Sequence, residues 1–211
     1  MNHSHGKRDT QCSMMCYRCA SYCSVRGRCK QRDSRTLVNR LRTGVPVEHT
    51  PHVPSGDALP IFEAAARYER ESNPVVLVAG EHYGTDSSRN HTAKGRRLLG
   101  IRAVLSASFE RIHRSNLIGM GILPLRFAAG IHPDTLYLQP GDKLEVDAPA
   151  NALSPRCGCA VPVPVRIVRA AGRIESVSAT AAVETRLECE LLRSGGVIPL
   201  ILQKNLATQE A

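Results

Sequence analysis

The sequence predicts an α/β fold, and three observations carry that prediction. Between residues 57 and 127, short apolar runs that read as strands (Val75–Ala79, Ile101–Leu105, Ile122–Phe127) alternate with stretches that read as helices. After Gly130 the pattern turns strand-like. Two helices close the chain, and Gly195-Gly196 divides them. The length suits one domain with a tail and suffices to bury a core.

The elements follow in chain order. Residues 1–34 have poor periodicity and five cysteines, and are set apart as a basic, Cys-rich, disordered or unrelated tail. The folded domain is expected over residues 35–206, with 207–211 as a short C-terminal tail. Pro54 and Gly56 mark a turn, and Asp57 caps a helix that runs through Arg70. Leu59, Phe62, Ala65, Ala66 and Tyr68 fall partly on one face of that helix. Val75–Ala79 is a buried strand, Gly80–Ser88 a loop, and Asn90–Leu99 a short helix ended by Gly100. Strand Ile101–Leu105, helix Ser108–Gly119 and strand Ile122–Phe127 come next. Leu136-Tyr137-Leu138, Leu144-Glu145-Val146, Val161–Val168 and Ala179–Val183 read as β, with Pro162 and Pro164 placing their segment at an edge. Glu184–Arg193 and Val197–Asn205 are the closing helices.

Charge is unevenly placed. The net charge is +9, and residues 1–44 hold ten Lys/Arg against two acids, which leaves the remainder nearly neutral. Such a tail is a solvated basic end or a contact for polyanions. With three Phe, five Tyr and no Trp there is little for stacking on bases, so nucleic-acid binding ranks low. No run of about 18 apolar residues offers a membrane span. The N-terminus carries charges but no apolar h-region, so no secretory signal is expected, the cysteines are expected to be reduced and the protein cytoplasmic.

The most informative stretch is Gly80–Phe127. Its opening, which starts at Gly80, brings a second Gly, two adjacent Ser and an Arg together in Tyr83-Gly84-Thr85-Asp86-Ser87-Ser88-Arg89. A second long motif follows from Glu110 to Leu125, reading ERIHRSNLIGMGILPL. Both resemble, in order, the signatures of the C-terminal swivel domain of the aconitase family, the iron–sulfur hydro-lyases. The resemblance extends over about Arg35–Leu206 and implies a three-layer β/β/α swivelling domain. Such a domain closes over a tricarboxylate substrate of the citrate, isocitrate or 2-methylcitrate type.

Carried over residue by residue, the resemblance makes Ser87 the catalytic base, acting as an alkoxide, Ser88 a substrate contact and Arg89 the carboxylate clamp. A serine hydroxyl is too weak an acid to ionise unaided, so it needs nearby positive charge and aligned N–H dipoles. Arg89 and the start of the following helix suit that need. A planar guanidinium also grips a carboxylate bidentately. One departure stands beside the base: Asp86 occupies the place of a family glycine. An acid there raises the cost of an alkoxide and repels a tricarboxylate. Asn90 and His91 read as helix-start residues, and His82 as a neighbour of the site rather than part of it. His113 reads as a packed helix residue; Arg111, Arg114 and Asn116 brace the loop and helix; Met120 and Leu123 belong to the core.

The resemblance also implies what is missing. The family's [4Fe–4S] cluster is held by cysteines of another domain, which also supplies acid–base histidines and further arginine clamps. This chain is therefore expected to bind no cofactor itself and to work only when docked on a cluster-bearing large subunit, as small subunits of the related isopropylmalate dehydratases do. A fragment or a non-catalytic remnant are the competing expectations. The family's R-G-x-F clamp has no counterpart at Cys29-Lys30-Gln31-Arg32. Cys12, Cys16 and Cys19 have a cluster-like spacing, with Cys23 and Cys29 beyond, but read as part of an unrelated start. Cys157 and Cys159 read as structural, and Cys189 as core.

Overall fold

The computed structural model of the chain describes residues 11–15, 49–53, 55–85, 89–139, 141–147 and 162–209, with the backbone alone for 11–15 and Arg89. The strands are β1 Gln11–Met15, β2 His49–Pro51, β3 Ala58–Pro60, β4 Val75–Ala79, β5 Ile101–Ser106, β6 Leu123–Phe127, β7 Lys143–Val146, β8 Pro162–Val168 and β9 Ile174–Ala181. The helices are α1 Ile61–Arg70, α2 Arg89–Leu98, α3 Arg111–Gly119, α4 Arg186–Ser194 and α5 Val197–Gln209.

Seven strands close into a barrel in the order β1-β4-β5-β6-β9-β8-β7. β1, β4, β5 and β6 run parallel, whereas β9, β8 and β7 are antiparallel to their neighbours. Strand β4 explains the layering. All five of its residues are buried, because alternate side chains enter two different cores. Val76 and Val78 point into the barrel, where they meet Leu105, Leu125, Leu144, Val165 and Ile167. Val75, Leu77 and Ala79 face outward and pack with Ile61, Ala64 and Tyr68 of α1, Ala93 of α2 and Leu117 of α3. The layers are therefore antiparallel strands, parallel strands and helices, as expected of the three-layer β/β/α class. Each fully buried Leu or Ile adds about 1.5–3 kcal/mol through removal from water.

Several elements differ from the sequence-based expectation. The stretch set apart as a tail contributes β1, which lies between β4 and β7 and joins the two sheet edges. Helix α1 begins at Ile61, not after Asp57, because Ala58–Pro60 pairs with His49–Pro51 as a hairpin. The hairpin is clasped to α1: Val53 N–H donates to Tyr68 Oη at 2.9 Å, and the His52 and Tyr68 rings lie 4.6 Å apart. Asp57 instead accepts from Ser55 Oγ and from Arg67. The later start turns the helix so that Ile61, Ala64, Ala65 and Tyr68 are buried and Phe62 is exposed.

Residues 136–138 are not a strand. A 3-10 turn spans Pro133–Leu136 and Tyr137 is left-handed at φ 44°. Arg169 holds this turn by donating to the carbonyls of Leu136 and Tyr137 while paired with Asp142 and Glu175. Pro162 and Pro164 sit in a strand flanked on both sides, yet the β7 ladder ends at Val165; Pro162 lies beyond it, and Pro164 meets that side through its carbonyl, which accepts from Asp147 N–H at 3.1 Å. Their missing N–H groups cost no ladder bond there. The N-terminal cysteines after Cys12, and Cys157 and Cys159, lie outside the described residues; Cys189 is buried in α4 as expected.

Candidate active-site loop

The loop leaves the C-terminal end of β4, beside the end of the parallel strand β5, and leads to the first residue of α2. In α/β folds, open or closed, ligands commonly bind at the carboxyl ends of parallel strands. The helix start adds outward-facing N–H groups. Helix α2 has no acid in its first turn and carries Arg96 and Arg97 in its last, so its own charge is positive.

The root of the loop is tied to the β5–α3 connection. Ser106, fully buried, donates its hydroxyl toward the carbonyls of Gly80 at 2.6 Å and Ser108 at 2.8 Å. His82 N–H donates to Ser108 Oγ at 2.7 Å, and Thr85 Oγ1 donates to the His82 carbonyl at 2.7 Å. Tyr83 N–H donates to the Ser108 carbonyl, and Glu110 N–H to the Tyr83 carbonyl. These bonds make the isolated bridge between Tyr83 and Phe109. Glu110 then caps α3 by accepting from His113 N–H at 2.8 Å, so the helix starts at Arg111 rather than Ser108.

Under this root lies a buried cluster. Tyr83 is stacked edge-on with Phe109 at 6.1 Å and with His113 at 5.0 Å. Its Oη accepts from Arg96 Nε at 3.2 Å. Arg96 is only 2% exposed and His113 is fully buried. Gly84 has φ +99°, and a Cβ built there would fall 2.3 Å from His113 Cγ. Only glycine permits both that dihedral and that approach.

Of the residues singled out from sequence, Asp86, Ser87 and Ser88 lie outside the described residues, and Arg89 is placed as the first residue of α2 by its backbone. His82 and His91 are exposed. His113 is packed, as expected. Arg114 braces as expected: it donates to the Ala182 carbonyl at 2.8 Å and pairs with Glu188 at 2.9 Å, joining α3 to the start of α4. Arg111 is exposed. Burial of Glu188 pushes its pKa up. The hydrogen bond from Arg114 and the backbone N–H groups of Glu184 and Thr185 outweigh that and hold it below the ordinary carboxylate value. Tyr83 and Arg96 had no role in the sequence reading. The signal for Arg96 is its spacing, because Thr92, Ala93 and Arg96 share the buried face of α2.

Among the described residues no three His, Cys, Asp or Glu side chains converge as a metal site. Nor is any helix among them long and apolar enough to cross a membrane.

The sequence profile of the aconitase C-terminal domain matches residues 26–130. Aconitate hydratase A of Legionella pneumophila is 41% identical over 168 residues, covering 80% of this chain and 18% of that protein. Aconitate hydratase A of Escherichia coli K12 is 41% identical over 170 residues, covering 81% and 18%. Phosphinomethylmalate isomerase of Streptomyces viridochromogenes is 42% identical over 167 residues, covering 79% and 18%. Among solved structures, 3-isopropylmalate dehydratase of Methanocaldococcus jannaschii aligns with a TM-score of 0.47 at 23% identity, covering 72% of this chain and 83% of that one. The chain thus spans about a fifth of the length of the curated relatives it matches.

Proposed function

Because this chain belongs to the aconitase family, as a C-terminal domain of that family, we propose that it supplies the serine base and arginine clamp of a tricarboxylate hydro-lyase. The observation that carries the reading is the Tyr83–Arg89 motif, set between the carboxyl end of β4 and the start of α2 in a chain about 40% identical to aconitate hydratases. In this reading Ser87, as the alkoxide, removes a proton from a substrate carbon, and that proton ends on Ser87 Oγ. Arg89 holds a substrate carboxylate through paired N–H donors, and its charge lowers the cost of the alkoxide. Ser88 donates to the same substrate. The substrate is of the citrate, isocitrate or 2-methylcitrate class.

Departure of the hydroxyl from the neighbouring carbon needs groups that the described residues do not provide. A cluster-bearing large subunit is the proposed source, docked in trans and without the effective concentration that a linker would give. The test is hydration of cis-aconitate and 2-methyl-cis-aconitate. The full chain is assayed alone and then mixed with a cluster-loaded aconitate hydratase core that lacks its own last domain. Activity confined to the mixture supports the reading. No activity in either, from a folded chain, overturns it.

A further inference from the structure

We propose that Arg96 and His113 are positioning residues: they clamp Tyr83 and Gly84 from two sides and fix where the loop bearing the proposed base leaves the sheet. The inference rests on the reading of Ser87 as that base.

Tyr83 is the part held. Its backbone N–H donates to the Ser108 carbonyl and its carbonyl accepts from Glu110 N–H, so both of its backbone polar groups are tied to the β5–α3 connection. Its ring is 3% exposed and fits between Phe109 and His113. Its hydroxyl is fixed by Arg96. Burying a guanidinium is expensive, and a lysine-like charge at a helix surface would stay solvated without that cost. A 2%-exposed Arg96 on the inner face of α2 instead uses its directed N–H groups inside the protein, and its Nε–H connects α2 to the loop it follows.

His113 acts from the other side. Its ring fills the space where any other residue than glycine at position 84 would place a Cβ, at 2.3–2.4 Å from Cγ, Cβ and Cδ2. The ring thus sets how closely the loop backbone approaches α3. Glu110 orients the same turn of α3 by capping His113 N–H and by its own bond to the Tyr83 carbonyl. One connected unit runs α2, Arg96, Tyr83, His113, α3, with the loop's root at its centre. Neither residue need touch substrate to matter, because a shift of about 1 Å in a reacting group lowers rate about a hundredfold.

The test uses the full chain with Tyr83→Phe, Arg96→Lys and His113→Asn, each read in two ways. The first is amide hydrogen exchange, followed separately for residues 80–90 and for the β8–β9 hairpin. A clamp predicts that exchange over 80–90 quickens about tenfold or more while the hairpin keeps its protection. A general structural role predicts equal loss in both, and unchanged exchange at 80–90 in a folded variant likewise overturns the proposal. The second reading is kcat and KM in the mixture with the cluster-loaded core. The expected result is a fall in kcat of about 10–100-fold with KM nearly unchanged. Tyr83→Phe, which keeps the ring and loses the bond from Arg96, is expected to be the mildest. A rise in KM at constant kcat overturns the proposal. If the unsubstituted mixture is inactive, the Ser87 reading fails, and the exchange data still decide the clamp.

Discussion

His113 and Gly84 meet so closely that a Cβ on Gly84 would lie 2.3 Å from the imidazole Cγ. Gly84 also has φ +99°, a dihedral that L side chains rarely adopt. Gly84→Ala is therefore expected to cost about 3 kcal/mol, combining backbone strain with overpacking. Denaturant unfolding measures it. Gly84→Ala placed in a His113→Gly background, which removes Cβ as well as the ring, should cost less by about 1–2 kcal/mol, because the steric part is relieved and the backbone strain stays.

Two other glycines separate conformation from crowding. A Cβ on Gly121 would lie 2.3 Å from the Gly195 carbonyl oxygen, a backbone atom that cannot rotate away. Gly100 has the same φ of +71° and nothing within 4 Å. Gly100→Ala is expected to cost about 1 kcal/mol, for the dihedral alone, and Gly121→Ala about 3 kcal/mol or more. Thermal unfolding of the two variants compares them directly.

Arg114 joins α3 to α4 through Glu188 and Glu184, whose side chains are 14% and 69% exposed, so Glu188 is the partner that matters. Arg114→Met is expected to cost about 3 kcal/mol by leaving a shielded carboxylate without its cationic partner, with only the backbone N–H groups of Glu184 and Thr185 still donating to it. The pH dependence follows from the depressed pKa of Glu188. Its contribution is fully present above the ordinary value of 4.5 and is lost as pH falls through the lower folded value. Unfolding free energies between about pH 6 and pH 3 should thus fall more steeply in the parent chain than in Glu188→Gln.

Asp86 stands next to the proposed base in sequence, where the resembled family has glycine. Asp86→Gly is expected to raise kcat in the mixture by roughly tenfold, the effect of one pKa unit on the serine. An unchanged or lower kcat would show that the acid does not oppose the base.

Much of this fold is legible in the sequence because local and long-range preferences agree. Val75–Ala79 is apolar at every position, and a strand buried on both faces needs that. Thr185 and Glu188 form a capping box that starts α4, and Gly195 at φ +85° stops it. What was not legible depends on distant partners. β1 gains its ladder from β4 and β7, more than 60 residues ahead. The turn at Pro133–Leu136 is held by Arg169, 33 residues on from Leu136. The hairpin before α1 depends on Tyr68. The site divides in the same way. Its motif could be read as a string of residues, whereas the burial of Arg96 is signalled only by its spacing from Thr92 and Ala93, against the ordinary solvation of a helical arginine.

The most direct measurement is the rate of cis-aconitate hydration by the mixture of full chain and cluster-loaded core, with and without Ser87→Ala. The expected result is measurable turnover for the parent chain and a fall of about 10³-fold in kcat for Ser87→Ala, with KM little changed. Equal rates for the two would contradict the assignment of the base to this chain.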